Sequence, residues 1–523
     1  MIRYLTESFV WRACAAVYAW LCTTWLARGI RALGAAWRAS AIYRFWAKLL
    51  KASSPVARSA FARLSQGLND SLHRMGGGLR RAYEGSFYRN RALPYLQKSF
   101  LLGKLLSGGV TGVLLTCASS YAIIDYLLRD VFQLAGIASI WDEGLILLCA
   151  FWLLVQRVGA PKSIRNRANS VDLFLAFYMI AGAVLLVFTS HTYWSINITG
   201  YRASMQYILL FFLVVRLIRN DTDFMRMCKL MIAIAALLSI HGVYQFVIGV
   251  EIPSHWTDMA EGSVRTRVFS IFSNPNIMGA YMILFAPMAI GMAYAEEDLA
   301  TKIFYWICGL AMCVACLFTM SRGAWLALAI SALIFALIID RRLFALLLAG
   351  GVVACFLPFV RSRIGYLFTH EFTASNERGG RSVRWETALG YLTDYRSWPK
   401  GLGYGMYGGA VAAQNQINKG FKYMYVDNYY VKILAENGIL GLSALLTMLS
   451  GLLWNGARAC GLTAGTKYRP LCAGMFAALI GILVHSFFES LWEEPYMMAL
   501  FFIVAAMLIY AGFLRQPRED GEK

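Results

Sequence analysis

The chain has 523 residues, of which 59% are hydrophobic and only 15% charged, against roughly 25% charged in a typical soluble protein. That balance excludes a water-soluble enzyme, an extended disordered chain and a small disulfide scaffold. The net charge of +20 is unevenly spread, because residues 1–100 hold sixteen Lys and Arg against three acids, Glu7, Asp70 and Glu84.

From the N-terminus, residues 1–100 read as a basic amphipathic region. Arg28, Arg31, Arg38, Arg44 and Lys48 recur there among aromatic and aliphatic residues. The mixture predicts one or more interfacial helices lying on anionic headgroups rather than a nucleic-acid surface. A spanning helix needs about 20 predominantly apolar residues. Twelve stretches qualify or nearly do, at about 105–128, 134–156, 172–190, 203–218, 228–249, 275–295, 302–320, 323–339, 343–359, 430–455, 471–489 and 495–514. The expected fold is an all-α polytopic membrane protein of about 12 transmembrane helices. Nine lie in 101–359, a large extracytoplasmic loop covers 360–428, three more lie in 429–514, and 515–523 is a cytoplasmic tail.

Orientation follows from Lys and Arg in the short connections. With the N-terminus inside, the inner connections and tail carry seventeen, and the short outer ones carry five: Arg129, Arg202, Arg265, Arg267 and Arg322. Both termini are then cytoplasmic. Most of the eleven cysteines sit in or beside apolar segments, where a thiol behaves as a small hydrophobe. Cys313 and Cys316 form a CxxC inside a hydrophobic helix with no second pair, so packing is expected of them.

Four stretches carry chemistry, and all fall on the outer side of this topology. The first runs from Arg265 and Arg267 to Asn274-Pro275-Asn276, a turn and helix-start signal. The second is Ser321-Arg322-Gly323-Ala324-Trp325. An arginine between apolar helices faces a polar cavity or an anion, or else snorkels to headgroups. The third is Asn376-Glu377-Arg378-Gly379-Gly380-Arg381, continuing to Arg384 and Trp385, in a loop that also holds Arg361, Arg363 and Arg396. Arginine offers a planar fork of donors that matches phosphate oxygens. The fourth joins the glycine-rich Gly401–Gly408 to Asp427-Asn428-Tyr429 and Glu436-Asn437-Gly438.

Asp427 stands at a good N-cap position for the tenth span, and Lys432 and Glu436 are spaced for an ion pair on one helix face. Asp142 and Glu143 are expected to cap the second span and do no more. His485 has Glu489 one helical turn on, a satisfied polar pair or the lining of a cavity. The other outer histidines, His191, His255 and His370, have no metal-ligand spacing. Walker, HExxH and Gly-x-Ser-x-Gly motifs are absent from the sequence.

Together the four stretches resemble the C-terminal module of the O-antigen ligase and polymerase superfamily, the Wzy-type polymerases and lipopolysaccharide ligases. The matching pieces are Arg267…Asn274-Pro275-Asn276, Ser321-Arg322-Gly323-Ala324-Trp325, Arg381-x-x-x-Trp385, Gly403-x-Gly405 and Asn428…Glu436-x-Gly438-x-x-Gly441, over about residues 260–445. The resemblance implies a bacterial inner-membrane glycosyltransferase with an extracytoplasmic active site. It would move a glycan from an undecaprenyl diphosphate carrier to an acceptor hydroxyl with inversion, in O-antigen, capsule or exopolysaccharide synthesis. It implies no metal and no cofactor. Its partners would be the lipid-linked donor, a glycan or cell-surface acceptor, anionic lipid and polysaccharide assembly proteins, with no nucleic acid.

By the same resemblance Arg322 and Arg381 hold the diphosphate and Asp427 takes the acceptor's proton. Arg267, Asn276, Arg378, Arg384, Asn428 and His485 are the expected substrate-binding residues. Ligases carry histidine where this chain has Asp427, and a carboxylate can serve as that base. The alternative is a twelve-span transporter or lipid-linked oligosaccharide flippase, for which paired broken helices in two halves would be expected. A non-enzymatic scaffold would leave Arg322 without a reason.

Overall fold

The computed structural model describes residues 109–158, 169–189, 191–251, 266–340, 343–377, 379–417 and 425–515, with a few isolated positions before residue 109. The interfacial helices expected in 1–100, His255, Arg265, Arg378 and residues 516–523 of the tail lie outside the described residues. Among the described residues the secondary structure is helical, without strands.

In chain order the helices are α1 (Gly109–Ser119), α2 (Tyr121–Val131), α3 (Trp141–Val158), α4 (Ser170–Val187), α5 (Trp194–Leu217) and α6 (Asp221–Ile248). Then come α7 (Pro275–Ala295), α8 (Leu299–Phe318), α9 (Arg322–Ile339) and α10 (Leu343–Phe356). The long loop holds α11 (Pro358–Gly365), α12 (His370–Glu377), α13 (Arg381–Asp394) and α14 (Ala410–Gln414). The chain closes with α15 (Tyr429–Leu462), α16 (Arg469–His485) and α17 (Pro495–Leu514).

The chain is a multi-pass membrane protein. Eight described helices, α4 to α9, α15 and α17, are long and apolar enough to cross a bilayer, and α1 with α2 makes a ninth if the 73° bend between them lies within one span. The remaining stretches fall short of the twelve expected. α3 opens on Asp142 and Glu143, α10 has 14 residues, and α16 has 17. At about 1.5 Å per residue, α10 rises roughly 21 Å, less than the hydrocarbon core of about 30 Å.

By packing, the chain divides into two compact units built from discontinuous segments. Among the described residues the first comprises Ser239–Arg384 and Ala464–His485, and the second comprises 109–238, 385–463 and 486–515. The division falls inside α6 and α13.

α7 is the axis of the first unit. Beyond Asn276 its side chains are apolar all round and almost all are buried, as expected of a helix without a solvent or lipid face. Asn274 caps it by accepting the Asn276 amide at 2.8 Å, and Pro275 takes the first helical position, where no N–H is needed. α16 lies antiparallel against it, notched by small residues: Gly291 meets the Pro470 carbonyl, Gly474 the Pro287 carbonyl, and Gly481 the Ile283 side chain. Ser331 of α9 donates to the Ala477 carbonyl at 2.8 Å, tying a third helix to the pair.

In the second unit Asn169 and Asp172 form a reciprocal capping box at the start of α4, and Asp172 also receives Arg216 of α5 at 2.7 Å. Asp142 does more than cap α3. It is buried and accepts from Tyr121 at 3.2 Å, from Gln206 at 3.4 Å and from Tyr207, while Glu143 pairs with Arg202 at 2.8 Å. A buried carboxylate is tolerated when its oxygens are filled in this way.

Candidate functional site

In the first unit the polar groups gather where α7 and α9 begin. The chain enters α7 through residues 266–274, fastened on both sides. Gln245 of α6 accepts the Phe269 and Ser270 amides at 3.1 and 2.7 Å, and the Val268 amide donates to the Phe318 carbonyl at 3.2 Å. That anchoring turns Arg267 inward. Its Nε donates to the Thr319 carbonyl at 3.0 Å and its Nη2 to Asn276 Oδ1 at 3.3 Å.

Thr319 and Met320 form the turn between α8 and α9, where Met320 holds a left-handed backbone angle, φ +54°. Ser321 caps α9 by accepting the Ala324 amide at 3.4 Å, which makes Arg322 its first residue. Arg322 is half-buried. Its Nη1 donates to the Arg363 carbonyl at 3.4 Å, and its guanidinium lies 5.8 Å from the Tyr366 ring centre. Arg363, on α11, is buried and sends Nε and Nη2 to the single Met320 carbonyl at 3.1 and 2.7 Å. Three arginines from distant parts of the sequence therefore meet around one turn.

Arg381 opens α13, and Arg384 donates to the Gly379 carbonyl at 2.8 Å. His485 is the last residue of α16. The α7–α16 register gives the level of that histidine. Residue 470 faces 291, 474 faces 287 and 481 faces 283, so His485 stands about one turn further, beside the start of α7. His485 has no exposed surface, and among the described residues neither ring nitrogen has a hydrogen-bond partner. α16 ends at His485, so Glu489 is not one helical turn on, and the expected satisfied pair does not form. An unmet buried polar group costs roughly 1–3 kcal/mol, so this imidazole is a net cost to the fold as it stands.

The second unit contains the Asp427 motif. α15 breaks at Gly438, with φ +64°, and a break leaves helical amides and carbonyls without their usual partners. The glycine-rich segment supplies them. The Leu402 and Gly403 amides donate to the Ala435 and Glu436 carbonyls at 2.9 and 2.8 Å, and the Ile439 and Leu440 amides donate to the Trp398 and Pro399 carbonyls at 2.8 and 3.1 Å. Four backbone groups freed by the kink are thus satisfied by one loop.

Charge fixes the same loop further on. Lys432 and Glu436 pair at 3.0 Å, as their spacing suggests, and Lys432 also meets Glu493 at 2.8 Å. The outer oxygens of those carboxylates accept the Tyr407 amide at 3.4 Å and the Ala410 amide at 2.9 Å. Burial pushes the Tyr407 phenol up to about 12 and the Tyr404 phenol well above its ordinary value, so neither is suited to act as a base.

Asn428, not Asp427, caps α15: its side-chain oxygen accepts the Tyr430 and Val431 amides at 3.0 and 3.2 Å. That corrects the capping role expected of Asp427 and gives the Asn428 side-chain oxygen two backbone partners. Asp427 is half-buried in a left-handed conformation, φ +50°, beside Val426, whose carbonyl receives the Trp385 indole at 2.8 Å. Sequence reasoning missed Arg363 and Glu493, whose partners lie far along the chain. The spacing Arg381-x-x-x-Trp385 was the visible trace of the Trp385 contact. Among the described residues no three His, Cys, Asp or Glu side chains are grouped to hold a metal ion.

The helices define a multi-pass helical membrane protein in which three arginines gather at the turn between α8 and α9. The family model described as O-antigen ligase matches residues 307–446. The matched segment contains Arg322, Arg363, Arg381, Arg384, Asp427 and Asn428, whereas Arg267, Asn276 and His485 lie outside it. The match supports the resemblance to the O-antigen ligase and polymerase superfamily over that segment. No curated protein matches the chain.

Proposed function

We propose that the protein transfers a glycan from undecaprenyl diphosphate to an acceptor hydroxyl at the outer face of the bacterial inner membrane. It acts as a polymerase or ligase of O-antigen, capsule or exopolysaccharide. The observation that carries this reading is the meeting of Arg267, Arg322 and Arg363 around the Thr319–Met320 turn, at the end of the first unit that holds the unmatched imidazole of His485. The seventeen-to-five distribution of Lys and Arg supports an outward-facing site with both termini inside.

The acceptor oxygen forms a bond to the anomeric carbon as the bond from that carbon to the phosphate oxygen breaks. The electron pair leaves on the diphosphate, and the acceptor's proton passes to a base. Charge gathers on the leaving group, so preorganised guanidinium donors lower the barrier without a metal. Arg322 and Arg381 hold the diphosphate, and the sequence motifs assign Arg267, Asn276, Arg378, Arg384, Asn428 and His485 to binding the rest of the substrate. Asp427, at the motif position of the ligase histidine, receives the proton, and attack opposite the leaving group inverts the anomeric centre.

The test is a glycan profile of a deletion strain complemented with wild type, Arg322→Ala, Arg381→Ala or Asp427→Ala at matched protein levels. Loss of long polysaccharide with single repeat units left behind identifies a polymerase. Long polymer retained on its lipid carrier identifies a ligase. An unchanged profile in all three variants overturns the site assignment.

A further inference from the structure

We infer that Arg363 is a positioning residue that sets Arg322 for the diphosphate. This inference rests on the donor-binding role proposed above for Arg322.

Arg322 follows two residues after Met320, whose φ of +54° is costly for a side chain with a Cβ. Such a conformation persists only where the surroundings over-determine it. Here the turn is held by its carbonyls: Arg267 takes Thr319, and Arg363 takes Met320 with two nitrogens of one fork. A lysine offers a single point charge and cannot hold one oxygen between two donors at fixed angles. The restraint also runs the other way. The Arg363 backbone carbonyl receives Arg322 Nη1, and Tyr366, three residues on, lies beneath the Arg322 guanidinium.

Arg363 is thus fixed at both ends to Arg322, through the turn that starts its helix and through a direct hydrogen bond to its side chain. Its own Nε and Nη2 are turned to the protein backbone, which marks it as a group acting through Arg322. Arg361, two residues away on the same short helix, is exposed and is the natural control.

The experiment measures binding of undecaprenyl diphosphate to the purified full-length protein in nanodiscs. It compares wild type, Arg322→Ala, Arg363→Lys, Arg363→Gln, Arg361→Gln and the double variant Arg322→Ala/Arg363→Gln, each with its thermal melt. A misplacement of about 1 Å can cost on the order of a hundredfold in function, so Arg363→Lys and Arg363→Gln are expected to bind about tenfold to a hundredfold more weakly. Arg361→Gln is expected to bind as wild type does. The double variant should bind no worse than Arg322→Ala alone, because a residue acting only through Arg322 has nothing left to act on.

Where Arg363→Gln fails to fold, Met320→Gly in the same background relieves the turn. Weak binding by that refolded variant supports positioning, and wild-type affinity overturns it. Losses that multiply in the double variant also overturn it, since Arg363 would then touch the lipid itself. If Arg322→Ala weakens binding and Arg363→Gln does not, this inference falls alone. If Arg322→Ala binds as wild type does, the donor-site reading falls and the inference with it.

Discussion

The Asn428 side-chain oxygen accepts the Tyr430 amide at 3.0 Å, so the start of α15 is closed by Asn428 and not by its neighbour Asp427. The two residues should separate cleanly. Asn428→Ala is expected to lower stability by about 1 kcal/mol, the usual cost of a lost cap, read as a lower melting temperature. Asp427→Asn should leave the melt unchanged and reduce glycan transfer by roughly 10²–10⁴-fold. A lower melt with intact transfer in Asp427→Asn would remove it from the base position.

Lys432 is the shared cation of two carboxylates, Glu436 and Glu493. Lys432→Met leaves them facing each other, and breaking a buried pair costs about 3–5 kcal/mol. The single variant should melt far below wild type or fail to accumulate. Lys432→Met/Glu436→Gln/Glu493→Gln should recover much of the loss. A single variant as stable as wild type would show that the charges are not coupled.

Two glycines with φ above zero differ in surroundings. Gly465 has open space where a Cβ would go, whereas at Gly438 a Cβ would meet the Pro399 carbonyl. Gly465→Ala should cost only the backbone preference, about 1–2 kcal/mol. Gly438→Ala should cost more, because the loop that satisfies the helix break must be displaced. Comparable melting temperatures for the two variants would contradict that assignment.

Burial raises the Glu494 carboxyl above the ordinary carboxylate range, only partly offset by a hydrogen bond with Tyr496. The folded protein then holds this proton more tightly than the unfolded chain does. The associated stability is full below the ordinary carboxylate value and is lost as pH rises through the raised one. Melting temperatures measured from about pH 4 to about pH 8 should fall less steeply for Glu494→Gln than for wild type. Parallel curves would refute the shift.

Much of the fold was legible because apolar length is a local property. The runs that became α4 to α9, α15 and α17 could be read directly, and so could the Asn274-Pro275-Asn276 start and the Lys432–Glu436 spacing. Hydropathy failed where an apolar stretch continues past the end of its helix. The expected span over 471–489 runs on beyond α16, which stops at His485, and the span over 343–359 is divided between α10 and α11 by Pro358 at the first helical position.

The candidate site was legible in its members more than in their roles. Arg322 stands out because an arginine opening an apolar helix needs a reason. Arg363 was one loop arginine among several, since its partner Met320 lies 43 positions away. Asp427 and Asn428 are equally good caps by residue type, and the left-handed backbone at Asp427 decides between them. Asp142 looked like a helix cap because Tyr121, Gln206 and Tyr207 reach it from other helices.

The notched contact between α7 and α16 has a mechanical meaning. A shift of α16 by one turn would bring Ala478 or Pro470 to where Gly474 meets the Pro287 carbonyl. The pair cannot work as a piston. His485 at its tip therefore keeps a constant height relative to Asn276, which makes this end of the helix pair a fixed platform rather than a sliding one.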